Sequence, residues 1–148
     1  MTPAAGGGHR ITIMRARLAT ALIALCLAIT AVRAHHSITG IYDASRQLRF
    51  EGVVAAFQFV NPHPFVEFEV VGTDGRSVRW RGEMDNRFEL VGVGMTAETL
   101  RPGDRVVVTG SAARDGSRGL YVRSLERPAD AFLYEQIGSS PRVRLPRR

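Results

Sequence analysis

The chain has 148 residues, a formal net charge of +6 and a pI near 10.9, and all twenty of its basic residues are Arg. That length allows one ordinary domain with appendages. Four of the Arg (Arg10, Arg15, Arg17, Arg33) and none of the fourteen acids precede His35, which leaves sixteen against fourteen, a net +2, for the rest. So near a balance argues against a nucleic-acid surface.

The first 34 residues have the plan of an export signal. Arg10, Arg15 and Arg17 form a positive n-region, Leu18 to Thr30 an apolar h-region, and Ala31-Val32-Arg33-Ala34 a small-residue cleavage site. Met14 would serve equally well as the start, since Arg15 and Arg17 follow it. An h-region of about 13 residues is short for a membrane span, which needs roughly 20, so an uncleaved anchor is the lesser alternative. The expected address is periplasmic or secreted, with membrane contact only through residues 1–34 before cleavage. Cys26, the only cysteine, sits inside the h-region between Leu25 and Leu27, a poor lipoprotein signal. The mature chain would then lack cysteine, which excludes disulfides, thiolate metal sites and Cys catalysis.

Cleavage after Ala34 makes the mature chain start His35-His36-Ser37. An N-terminal histidine offers an α-amine and an imidazole on one residue, a chelating pair that suits copper or nickel, copper being favoured by the Irving–Williams order. Residues 35–47 read as an extended arm with a turn near Asp43-Ala44-Ser45, its Ile38, Ile41 and Tyr42 packed on the domain.

The body, residues 48–137, is mainly β. Leu48 to Val60 is a long apolar run whose Gly52 lets one strand bend and serve two sides of a small barrel; from Val53 to Val60 both faces are expected to be buried. The corner Asn61-Pro62-His63-Pro64 follows, its prolines unable to donate ladder bonds on either side of His63. Phe65 to Val71 and Ser77 to Arg81 alternate in opposite sense around the turn Thr73-Asp74-Gly75-Arg76. Their apolar faces coincide only if Val70 pairs with Val78 and Phe68 with Trp80, which sets Glu69 opposite Arg79 and Glu67 opposite Arg81.

Asp85 or Asn86 is expected to cap a short helix that turns Phe88 and Val91 inward and ends at Gly92 and Gly94. Thr96 to Leu100 is one helical turn at most, and Arg101-Pro102-Gly103-Asp104 is a tight turn. Strands Arg105 to Gly110 and Gly119 to Leu125 flank the loop Ala113 to Arg118. Ala131 to Ile137 reads as a helical or strand-like cap, and residues 138–148 as a disordered basic tail. Five strands with one helix between the third and fourth is the plan of a five-stranded OB-like barrel; a β-sandwich would need more strands. In that plan the ligand face carries Asn61, Glu67, Arg79 and Arg81, with His63 in the loop joining the first two strands.

His35-His36-Ser37, Asn61-Pro62-His63, Trp80 to Glu83 and the strand Gly103-Asp104-Arg105-Val106-Val107-Val108-Thr109-Gly110 together resemble a family of small exported bacterial proteins of unknown function. The resemblance spans roughly His35 to Leu125. It implies export and a barrel-like β domain, without an activity. Where that family tends to have arginines followed by Gly-Trp, this chain has Val91-Gly92-Val93-Gly94-Met95.

The function expected is a metal-binding module, with His35, His36 and His63 as copper ligands and Glu83 or Glu67 as an oxygen ligand or support. The alternative is a module without metal that binds a small ligand or an envelope protein through Arg79, Arg81 and the two loops. Nucleic acid is disfavoured, because the outer face alternates Glu with Arg and offers Phe65 as its only aromatic. No hydrolase, P-loop or metalloprotease motif is present, so no enzyme is indicated.

Overall fold

In the computed structural model, which describes residues 37–146, the period-two runs become seven strands and two short helices. These are α1 (Ser37–Ile41), β1 (Tyr42–Gln58), β2 (Phe65–Val71), β3 (Ser77–Glu83), α2 (Arg87–Gly92), β4 (Arg105–Ala113), β5 (Gly119–Arg127), β6 (Phe132–Ile137) and β7 (Ser140–Arg144). They form one sheet in the order β3-β2-β1-β4-β5-β6-β7, and a parallel pairing of β3 with β5 joins its two sides. The first five strands therefore pair in a closed ring, with α2 between β3 and β4. Residues 1–34, expected to be an export signal, and His35–His36 lie outside the described residues.

β1 works as its glycine suggests. Its first part pairs with β4 from Tyr42 to Val53, and its second part pairs with β2 from Val53 to Gln58. Val53 belongs to both ladders. At Gly52 a Cβ would stand 2.7 Å from the Glu69 backbone oxygen, so a larger residue would push the two strands apart where β1 changes partner. Gly82 has a similar duty at the closure. A Cβ there would lie 2.7 Å from Val122 Cγ2, where β3 meets β5.

The β2–β3 register is as expected: Val70 faces Val78, Phe68 faces Trp80, Glu69 faces Arg79 and Glu67 faces Arg81. Phe68, Val66, Val54, Leu90, Met95, Val108, Leu120, Leu125 and Tyr134 are among the buried side chains of one continuous core.

Four expectations are corrected. Residues 35–47 are not an extended arm throughout, because residues 37–41 are helical and Tyr42 already starts β1, and Ile41 is exposed rather than packed. The run from Val53 to Val60 is not buried on both faces: Val54 is buried, but Val53 and Val60 are exposed. Phe88 and Val91 point outward, Phe88 with 87 % of its surface exposed, and Leu90 is the buried residue of α2. A helix of six residues is too short for a full apolar stripe, and the Arg87 amide, bonded to the Pro62 carbonyl at 3.0 Å, fixes which side faces the core. Finally, residues 138–148 are not simply a disordered tail: Ser140–Arg144 is β7, paired with β6 from Ile137↔Ser140 to Leu133↔Arg144.

Candidate functional site

The corner between β1 and β2 is stitched to the end of β3. The Pro64 carbonyl accepts the Met84 amide at 2.9 Å and the Pro62 carbonyl accepts the Arg87 amide at 3.0 Å. The Asn61–Pro62 bond is cis. Both prolines thus act as acceptors toward the segment leaving β3, and His63 between them is delivered to Glu83, the last residue of that strand.

His63 Nδ1 lies 3.0 Å from Glu83 Oε1, with about a quarter of each side chain exposed. The oxygen sits off the ideal N–H direction, which leaves buried Nδ1 without a well-aligned hydrogen bond. A carboxylate this close favours the tautomer with its proton on Nδ1, since two facing lone pairs would repel. The nitrogen left for another partner is Nε2. Glu83 uses its second oxygen too, accepting the Tyr42 hydroxyl at 2.7 Å.

Tyr42 opens β1 and its ring stands 5.9 Å from that of Tyr121, which lies on β5 directly opposite Glu83 in the β3–β5 ladder. Burial first, then the Glu83 carboxylate, pushes the Tyr42 phenol far above its ordinary value. The phenol therefore remains a donor to Glu83 at neutral pH. Tyr42→Phe removes this bond while keeping the ring against Tyr121, and it is expected to lower the unfolding free energy by about 1 kcal/mol in urea denaturation. A loss indistinguishable from zero would mean that solvent replaces the bond at no cost.

The segment before Tyr42 is held by the β4–β5 loop, the second loop expected at the site. The Arg114 amide donates to the Ile41 carbonyl at 2.9 Å and its Nε to the Thr39 carbonyl at 3.1 Å. The same loop meets β3, where the Arg81 amide donates to the Arg118 carbonyl at 3.0 Å.

On the outer β2–β3 face the charges divide unequally. Arg79 takes both acids, with Nη2 2.9 Å from Glu69 Oε1 and Nη1 3.6 Å from Glu67 Oε2. Arg79, then Ser77, hold the Glu69 carboxyl below its usual range. Arg81, although opposite Glu67, pairs with no acid among the described residues; its guanidinium carbon lies over the Phe65 ring, 3.5 Å from the centroid. Asn61 is exposed at the corner.

Asp85, two residues beyond Glu83, is buried and structural. Its Oδ2 accepts Gln136 Nε2 at 2.6 Å, its Oδ1 accepts the Asn86 amide at 2.7 Å, and the Tyr134 hydroxyl donates to Gln136 Oε1 at 2.7 Å. Asn86 is the helix cap, accepting the Glu89 amide on its side-chain oxygen at 2.9 Å.

Of the residues singled out from sequence, His63 and Glu83 are therefore brought together, and Arg81 lies on the same face. Glu67 and Arg79 are spent on each other and on Glu69. His35 and His36 lie outside the described residues, and among the described residues no group of three or more His, Cys, Asp or Glu is gathered as a metal site would need. Tyr42 and Tyr121 were missed as partners of Glu83. They are 41 and 38 positions away from it, and only ring closure brings them there.

No curated protein and no solved structure matches the chain. A family of unknown function, DUF6152, matches residues 22–121, from the apolar N-terminal segment through Tyr121, and so takes in His35, His36, His63, Glu83 and Tyr42 but not β6 or β7. The match covers well over half of the chain, which belongs to that family.

Proposed function

We propose that the protein is an exported, periplasmic metal-binding module, with copper the favoured ion. His63 supplies Nε2, and the N-terminus created by cleavage after Ala34 supplies the amine and ring of His35, with His36 adjacent. The observation that carries this reading is the His63–Glu83 contact at 3.0 Å. A histidine that ligates a metal commonly gives its other ring nitrogen to a carboxylate, which sets the tautomer and orients the ring. Glu83 is thereby a supporting group, since its two oxygens already serve His63 and Tyr42.

Amine and imidazole nitrogens together form a donor set of the kind Cu(II) prefers.

The test is a Cu(II) titration of protein processed to begin at His35, with the mature N-terminus verified by mass spectrometry. One equivalent is expected to bind with sub-micromolar affinity. His63→Ala, or one glycine added before His35, should each weaken binding by about 100-fold, or ~2.7 kcal/mol. Equal affinity in all three proteins would overturn the proposal, because any flexible N-terminal His pair would then account for the binding.

A further inference from the structure

Where β1 passes from β4 to β2, the outward pleat of the sheet forms a groove of about 630 Å³, within the range of about 300–1,000 Å³ typical of small-molecule sites. Alternation accounts for its floor. Val54, Phe68, Val106 and Val108 turn into the core, so Val53, Val71 and Val107 turn out, and Val71 keeps 70 % of its surface exposed. Pro128 and Ala129, just after β5, complete the wall. His63, Glu83, Tyr42 and Arg81 take no part in it.

Three charged side chains line this groove beside the valines. Glu69 lies opposite Val53 and is already held by Arg79 at 2.9 Å. Arg105 lies opposite Val53 on the other side, and Glu51 lies opposite Val107. Neither Arg105 nor Glu51 forms an ion pair among the described residues. The two are diagonal neighbours in the β1–β4 ladder, about 7–8 Å apart.

The groove therefore presents one open cation and one open anion beside an apolar floor. An anionic amphiphile would meet Arg105 but would also face the carboxylates of Glu51 and Glu69. A zwitterion satisfies both open charges. Two residues of extended chain span about 7 Å, so the terminal ammonium and carboxylate of a dipeptide match the separation of Glu51 and Arg105. Apolar side chains on that dipeptide match the three valines.

We infer that this groove is a separate ligand site for an apolar dipeptide, which sets its ammonium at Glu51, its carboxylate at Arg105 and its side chains on Val53, Val71 and Val107. The inference is independent of the metal reading, since the two sites share no residue.

Leucyl-leucine is a suitable probe, titrated into protein processed to begin at His35 while the backbone amide NMR shifts are followed. Saturable shifts are expected at the amides of Val53, Val71 and Val107. Glu51→Gln and Arg105→Gln should each weaken binding about fivefold, the scale of one exposed ion pair. Both side chains are exposed, so neither substitution disturbs the core. Blocked probes separate the two ends. N-acetyl-leucyl-leucine should lose its sensitivity to Glu51→Gln, and leucyl-leucinamide its sensitivity to Arg105→Gln. The absence of saturable shifts at millimolar leucyl-leucine would overturn the inference. So would equal effects of the two substitutions on both blocked probes, or tighter binding of decanoate than of the dipeptide.

Discussion

Phe68→Ala is expected to lower the unfolding free energy by about 3–5 kcal/mol, the range for emptying a large aromatic from a closed core. Phe68 is fully buried at the centre of β2. It faces Trp80 across the β2–β3 ladder, and its ring is 6.4 Å from that of Phe50, which in turn stacks on Trp80 at 4.3 Å. One edge of the ring also fills the space beside Gly52, where a Cβ would come within 3.0 Å of it. The residue thus occupies the volume that the glycine leaves open at the point where β1 passes from β4 to β2. The surrounding ring of strands is hydrogen-bonded all the way round, so it has little freedom to collapse into the cavity. Urea denaturation of the variant is the measurement, and a loss under about 1 kcal/mol would mean that the core relaxes far more than this closure implies.

The second large effect is expected at Asp85. Asp85→Ala should cost about 2–4 kcal/mol, because two donors lose a buried acceptor at once. The Asn86 amide loses its 2.7 Å partner, and Gln136 Nε2 keeps only a long contact to the Gly138 carbonyl at 3.4 Å. Gln136 belongs to β6, outside the closed ring, so the same carboxylate fastens the extra hairpin to the segment leaving β3. The double variant Asp85→Ala/Gln136→Leu should cost clearly less than the sum of its single variants, since each single change strands the other partner. Strict additivity in denaturant unfolding would show that the two residues act independently, against the geometry.

Most of the ring could be read from the sequence. Strict alternation in Phe65–Val71 and Ser77–Arg81 admits one register, because a slip of a single residue would expose Phe68 and Trp80 and bury Glu67 and Glu69. That register is the one observed. Gly52 likewise signalled the divided pairing of β1. Other features depend on contacts that local pattern does not encode. The outward turn of Phe88 follows from the backbone bond of its neighbour Arg87 to Pro62, 25 positions before Arg87. β7 was hidden by a composition of Ser, Pro and Arg that has little strand propensity; it forms because β6 offers it an open edge.

The site divides in the same way. His63 stood out because two prolines enclose it, and Glu83 because of the Trp80 to Glu83 segment. Their contact could not be derived, since it depends on the two proline carbonyls accepting amides from the segment that follows β3. Nor did opposition in the ladder decide how the arginines pair. Register sets which residues are neighbours, but the reach of each side chain decides the contacts, and Arg79 took both acids while Arg81 took an aromatic face.

β7 has a consequence for how the molecule meets its own copies. An outermost strand offers unpaired backbone groups that a neighbouring chain could extend into a continuous sheet. Here that strand contains Pro141, which has no amide hydrogen to give, and carries exposed Arg142 and Arg144. A second copy arriving edge to edge would face a gap in the donor row and meet like charge on like charge. The hairpin that lengthens the sheet also brings its growth to a stop.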